Sequence, residues 1–313
     1  MPSLNRPVRV AVLPPERTWA STAVEEGGGV VADLGGAEAL VWAAGIDEPG
    51  LGPDDLREVL RRHPGIRWVQ LPWSGVDDQQ AAGVLDHDHV WTSGKGLYAG
   101  VVAEHALCLT LAGLHHLKPY SRARAWSDPA GTRLVGGRVT VFGGGGVARH
   151  LVRLLEPFGC HVTVVRRHRA PMPGVDRVVG WDRRDDALGA DAVILALALT
   201  AETDRFFGRA QLERMEHHAW LVNVARGRHV VTDDLVDALR SERIGGACLD
   251  VTDPEPLPEG HSLWSLPNCL VTPHSATTWE LVIPLLQGRI TDNVGRFSHG
   301  EPLVGVVDPD LGY

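Results

Sequence analysis

Val139-Thr140-Val141-Phe142-Gly143-Gly144-Gly145-Gly146-Val147-Ala148 is the stretch that decides the fold. A short β-branched and aromatic run predicts a strand, the glycines a tight turn, and Val147 to Phe158 a helix. The glycines fall in the pattern Gly143-x-Gly145-x-x-Ala148. Glycine at 143 permits the turn, glycine at 145 lets the backbone approach a pyrophosphate, and Ala148 lets the helix lie close to the strand. The first N–H groups of the helix, at the positive end of its dipole, then face the phosphates. Any sharp turn can use glycines. The strand before and the helix after favour a dinucleotide site.

The next strand, His161 to Val165, ends in Arg166-Arg167-His168-Arg169. A site for NAD places Asp or Glu about 20 residues beyond the glycines, to hold the ribose 2′-hydroxyl. Here arginines stand in that place, and guanidinium groups pair with the 2′-phosphate of NADP. NADP is therefore the expected cofactor, with NAD as the alternative if the run is a solvated basic turn.

Outward from this unit the pattern repeats. Ala192–Leu197, Trp220–Val224, Gly246–Val251 and Cys269–Thr272 read as further strands. Upstream, Val8–Leu13, Ala39–Ala43 and Trp68–Leu71 read as strands. Pro53–His63, acidic at its start and basic at its end, reads as a helix. Val101–Leu117 is an apolar helix interrupted by Glu104 and His105, and a last helix runs from beyond Pro273 to about Ser298. Alternating strands and helices imply parallel α/β sheets.

At 313 residues the chain is long enough for two domains. Its 44% hydrophobic and 22% charged residues are ordinary for a globular protein. A net charge of −9 argues against nucleic acid as a partner. Neither a leader-like start in Met1–Arg6 nor an apolar run of about 18 residues is present, so no membrane association and a cytoplasmic location are expected. Cys108, Cys160, Cys248 and Cys269 lack a Cys-x-x-Cys spacing and are expected to be small buried residues. His87-Asp88-His89, His115-His116 and His217-His218 point in diverging directions on regular structure, and no metal site is expected.

Three downstream segments carry candidate chemistry. Leu221-Val222-Asn223-Val224-Ala225-Arg226-Gly227 places an arginine just after a strand. Asp250-Val251-Thr252-Asp253-Pro254-Glu255 places a glutamate beyond the next, and Val271-Thr272-Pro273-His274 does so for a histidine. In an open α/β sheet, residues beyond the carboxyl ends of strands meet the ligand. Each residue alone could be an ordinary loop side chain. Together, in this order behind a nucleotide fingerprint, they read as one site.

These segments resemble the signatures of the D-isomer-specific 2-hydroxyacid dehydrogenase family, glyoxylate/hydroxypyruvate reductase-like members included, and the likeness covers nearly the whole chain. Leu71-Pro72-Trp73-Ser74-Gly75-Val76-Asp77 resembles the loop that binds the substrate carboxylate, so Ser74, Gly75 and Val76 are the implied substrate-binding residues. Leu197-Ala198-Leu199-Thr200 resembles the turn beside the cofactor, with Ala198 where proline is usual. The resemblance implies two Rossmann-like domains with parallel sheets. A nucleotide-binding domain at 101–276 would be inserted into a flavodoxin-like substrate domain made of 1–100 and 277–313. It implies a homodimer. It also implies catalysis by Arg226, Glu255 and His274, and a cofactor site of Gly143, Gly145, Val147, Ala148, Arg166, Arg167, Arg169, Ala198, Leu199, Ala225, Asp250 and His274. For Asp250, a turn cap competes with a place near the nicotinamide amide.

Reduction of a small 2-keto acid needs a hydride at the carbonyl carbon and a proton at its oxygen. His274 suits the acid, Glu255 would stabilise its imidazolium, and Arg226 would clamp the carboxylate. A formate-type dehydrogenase would carry glutamine where Glu255 stands. A phosphite-type enzyme would keep the same three residues, as would a dinucleotide-sensing binding protein without turnover.

Overall fold

The computed structural model describes residues 6–44 and 50–312; the leader reading on Met1–Asn5 therefore lies outside the described residues. The chain divides into two compact units, Met1–Tyr98 with Thr278–Tyr313, and Ala99–Thr277. The expected insertion, 101–276, lacks Ala99, Gly100 and Thr277 of the second unit.

In the first unit β1 (Arg9–Leu13), β2 (Val30–Val31), β3 (Ala39–Trp42), β4 (Trp68–Gln70) and β5 (Val90–Thr92) form a parallel sheet ordered β2-β1-β3-β4-β5. This is the flavodoxin-like order. Val10 and Val12 of β1 enter one apolar cluster with Ala20, Ala23 and Val24 of α1 (Thr18–Glu26). Ala11, pointing the other way, meets Leu56 and Leu60 of α2 (Pro53–Arg62). Apolar residues fill both faces of the strand because helices cover both faces. Pro53 at the first helical position, Asp54 and Asp55 in the first turn and Arg61 and Arg62 in the last fit the helix dipole of α2. A short α3 (Asp77–Ala81) follows β4.

The second unit opens with α4 (Ala99–Leu114), which ends where His116 turns left-handed, and α5 (Leu117–Arg122). Its sheet comprises β6 (Arg138–Phe142), β7 (His161–Arg166), β8 (Arg177–Gly180), β9 (Ala192–Leu195), β10 (Trp220–Asn223), β11 (Gly246–Leu249) and β12 (Cys269–Val271). All pair in parallel, in the order β12-β11-β10-β9-β6-β7-β8. From β6 the chain steps outward to β7 and β8, then returns to the other side of β6 with β9. That reversal is the topological switch point, beyond whose strand ends α/β proteins bind ligands.

Val139 and Val141 pack with α4 and with α6 (Gly146–Leu155), whose Ala148, Leu151, Val152 and Leu155 recur at helical spacing on the buried face. Truncating Leu151, fully buried there, to alanine would cost about 2–5 kcal/mol. Phe142 faces the opposite core with Leu221, Leu249 and residues of α8 (Thr232–Arg240). Single turns form α7 (Arg209–Leu212) and α9 (Ser262–Ser265). The last helix, α10 (Trp279–His299), belongs to the first unit, where Leu286, Ile290, Val294 and Phe297 complete the core around β1.

Two expectations need correction. Cys248 and Cys269 are buried, but Cys108 is exposed on α4 and Cys160 is only partly covered. The helix after Pro273 begins at Trp279, because Pro273 to Thr278 form a loop. Among the described residues no helix is long and apolar enough to cross a membrane.

Candidate active site

The glycine turn after β6 has the shape a dinucleotide requires. Gly143 adopts φ 116°, and a Cβ there would fall 2.1 Å from the Ala196 carbonyl oxygen just beyond β9. Only glycine lets β6 and β9 end so close together. At Gly145, immediately before α6, a Cβ would meet nothing within 4 Å, so its backbone faces open space at the helix N-terminus. Val147 is half-buried and Ala148 fully buried against the strand. Residues and space fit a pyrophosphate held by backbone N–H groups.

The arginine run divides. Arg166 lies along the glycine turn, its Cβ, Cδ and Nε 2.9–3.2 Å from where a Gly144 Cβ would stand. Arg167 pairs with Glu202 at 3.3 Å. Arg169 donates two hydrogen bonds to Asp182, at 2.6 and 2.5 Å, and holds that carboxyl below its usual range. The structure brings Arg166 to the turn and engages Arg169 elsewhere. Ala198 and Leu199 follow β9, where the Ala198 carbonyl accepts from Thr203 Oγ1 at 2.8 Å.

At the end of β10, buried Asn223 shapes the loop that carries Arg226. Its Nδ2 donates to the Arg226 carbonyl at 2.9 Å, and its Oδ1 accepts the Ala225 N–H at 3.0 Å. Arg226 donates to the Ala225 carbonyl at 2.8 Å and is half-buried. A Cβ at Gly227 would fall 1.8 Å from the Thr252 carbonyl oxygen, so glycine there lets the Arg226 loop press against the segment leading to Glu255.

Glu255 and His274 meet. His274 Nδ1 lies 2.6 Å from Glu255 Oε1, with 30% and 39% of the two side chains exposed. A carboxylate only accepts, so Nδ1 carries the hydrogen and Nε2 is the nitrogen left for a substrate. His274 has φ 50°, a left-handed conformation that costs a non-glycine residue about 1–3 kcal/mol and persists only where its surroundings enforce it.

Asp250 supplies that enforcement. Its carbonyl accepts the His274 N–H at 2.8 Å. Its Oδ1 accepts from Thr272 Oγ1 at 2.6 Å and from the Ser275 N–H at 2.8 Å, and its Oδ2 accepts the Ala276 N–H at 3.1 Å. Burial pushes this carboxyl up, but hydrogen bonds from His105, Thr272 and the Ser275 N–H outweigh burial and hold it below the usual range. With 1% of its side chain exposed, Asp250 turns its carboxylate to protein donors. These contacts make Asp250 a cap of the loop that carries His274.

Ser74, Gly75 and Val76 belong to the first unit, in the loop between β4 and α3. Ser74 Oγ donates to the Gly94 carbonyl at 2.9 Å, Gly94 N–H donates to the Trp73 carbonyl at 2.9 Å, and Val76 is buried. The sequence pattern assigns no role to Asn223 or His105; a polar residue at a fully buried position is the signal that reaches Asn223.

A profile of the D-isomer specific 2-hydroxyacid dehydrogenase NAD-binding domain matches residues 105–276. The chain belongs to this family. It is 35% identical to an uncharacterised protein of Corynebacterium melassecola, over 96% of this chain and 99% of that one. It is 29% identical to glyoxylate/hydroxypyruvate reductase A of Klebsiella pneumoniae strain 342, over 84% of this chain and 80% of that one. A D-isomer specific 2-hydroxyacid dehydrogenase of Xanthobacter autotrophicus, solved with NADPH and MES, superposes with a TM-score of 0.82 at 26% identity, covering 98% of this chain and 100% of that one. As a member of this family the chain is an NAD(P)-dependent 2-hydroxyacid oxidoreductase, built of two Rossmann-like domains.

Proposed function

We propose that the protein reduces small 2-keto acids, such as glyoxylate or hydroxypyruvate, to hydroxy acids of D configuration where the product is chiral, with NADPH as reductant. The observation that carries the reading is the 2.6 Å contact between Glu255 and His274, on loops beyond β11 and β12, with Arg226 on the loop beyond β10. The reduced dinucleotide supplies the hydride. Gly143, Gly145, Val147 and Ala148 would receive its pyrophosphate, Arg166 its 2′-phosphate, and the loops at Ala198–Leu199 and Ala225 would flank it.

The protein's own groups do the rest. Arg226 binds the substrate carboxylate through its planar fork and polarises the adjoining carbonyl. His274 gives the proton on Nε2 to the carbonyl oxygen, and Glu255 keeps the ring oriented. In the first unit, family likeness supports Ser74, Gly75 and Val76 as substrate-binding residues through their backbone. Family likeness supports a homodimer and cytoplasmic residence, which light scattering and cell fractionation test.

Following NADPH consumption over a panel of 2-keto acids tests the function. Turnover of glyoxylate or hydroxypyruvate is expected. Tight NADPH binding with no turnover of any keto acid would replace this reading with that of a dinucleotide-sensing protein.

A further inference from the structure

We propose that His105, on α4, is a positioning residue for proton donation by His274 and acts through Asp250. The proposal rests on His274 being the proton donor, as argued above. His105 Nε2 lies 3.2 Å from Asp250 Oδ1 and 3.3 Å from Thr272 Oγ1.

The hydrogens can be assigned. The Thr272 hydroxyl gives its hydrogen to Asp250 Oδ1 at 2.6 Å, so it offers only an acceptor to His105. Ionised Asp250 only accepts as well. Both neighbours of Nε2 are acceptors, so Nε2 carries the hydrogen and His105 donates to the pair. Asp250 Oδ1 thus receives the Thr272 hydroxyl, the Ser275 N–H and the imidazole N–H at one oxygen.

Removing the His105 donor changes more than one bond. Asp250 is nearly sealed from water, so no solvent replaces the lost N–H. Its carboxylate keeps the Thr272, Ser275 and Ala276 donors but loses its one tie to α4, and Oδ1 and Oδ2 are the acceptors that fix Ser275 and Ala276. Those two residues directly follow His274, whose φ of 50° depends on the loop being held. Loosening here tilts the imidazole away from Glu255. His105 touches neither substrate nor cofactor in this account; it sets the geometry of the residue that does.

The experiment compares His105→Phe, which keeps a ring but no donor, with His105→Gln, whose amide N–H can stand where Nε2–H stood. Two readouts are taken on the full chain: kcat and KM for glyoxylate with NADPH, and the titration of the His274 imidazole by NMR. The phenylalanine variant should lose about tenfold or more in kcat, with a much smaller change in KM. Its His274 titration midpoint should be displaced. The glutamine variant should recover most of the kcat and the original midpoint. Unchanged kcat and midpoint in His105→Phe would overturn the proposal. So would a glutamine variant as impaired as the phenylalanine one, since putting back the donor would then restore nothing. If His105→Phe does not fold, His105→Met takes its place in the comparison. If the unmodified protein reduces no keto acid, the functional reading fails by itself. The NMR titration then decides this proposal, an undisplaced midpoint counting against it.

Discussion

His274 Nδ1 and Glu255 Oε1 stand 2.6 Å apart on loops that leave neighbouring parallel strands, β11 and β12. A contact this short between a ring N–H and a carboxylate fixes both the tautomer and the plane of the imidazole. His274→Ala should therefore cost about 10²–10⁴-fold in kcat for keto-acid reduction, the proton-transfer share of the barrier. Glu255→Gln keeps an acceptor and removes the charge, and should cost about 10–100-fold. Steady-state kinetics with NADPH and glyoxylate measures both; a His274→Ala enzyme of normal rate would remove the histidine from the mechanism.

Arg226 carries a different share. If its fork binds the substrate carboxylate and polarises the carbonyl, Arg226→Ala should raise KM and lower kcat together. Arg226→Lys should recover little, because an ammonium group cannot make the paired contact. A lysine variant with wild-type kcat/KM would show that only positive charge is needed.

How far the sequence leads depends on where each signal is stored. β6, the glycine turn and α6 are legible because turn chemistry and apolar spacing are local: Gly143 needs a left-handed φ, and Ala148, Leu151, Val152 and Leu155 repeat at helical intervals. β2 is two residues, Val30–Val31, behind three glycines, and β8 is four residues that pair only with β7. Neither is long enough to show a period, so pairing with a distant strand creates them. α1 carries a local signal, since Ala20, Ala23 and Val24 have helical spacing.

The site divides in the same way. As candidates, Arg226, Glu255 and His274 are legible because each follows an apolar run, and strand ends are where α/β sheets present side chains. What Asp250 does is not legible. Its partners are the Ser275 and Ala276 N–H groups and His105 of α4, and no local pattern announces a carboxylate that caps a loop on another strand. For the arginine run the sequence shows the charges, while the separate engagements of Arg167 with Glu202 and Arg169 with Asp182 come from the fold.

Asp250 makes a prediction about stability and pH. Its folded carboxyl is held below the usual range, so it contributes stability that is present above the unfolded carboxylate pKa and lost as pH falls through the folded value. Asp250→Asn turns an amide N–H toward groups that are themselves donors and should cost about 1–3 kcal/mol at neutral pH. The difference should shrink as the solution is acidified, because the wild-type carboxyl then protonates too. Urea melts of both proteins from neutral to acid pH check this. A difference that stays constant with pH would mean that the charge of Asp250 contributes nothing.

Arg166 is the residue proposed to select the cofactor. Its side chain lies along the glycine turn, with Nε 2.9 Å from the place of a Gly144 Cβ, while its neighbours Arg167 and Arg169 pair with Glu202 and Asp182. Among the described residues the Arg166 side chain makes no hydrogen bond or ion pair, so its guanidinium can meet a 2′-phosphate without first breaking another contact. A charge-assisted bond to phosphate contributes about 1.5–3 kcal/mol, which corresponds to a preference of roughly tenfold to a hundredfold for NADPH over NADH. Arg166→Asp should reverse the order, because it removes an attraction for the phosphate and places an acceptor where a ribose hydroxyl would lie. Arg169→Ala should change the ratio far less, since its charge is already neutralised by Asp182. The measurement is the ratio of kcat/KM for the two cofactors in the unmodified protein and both variants. Equal use of NADPH and NADH by the unmodified protein would sink the phosphate contact and leave the dehydrogenase chemistry intact. A larger effect of Arg169→Ala than of Arg166→Asp would move the contact to the other end of the run.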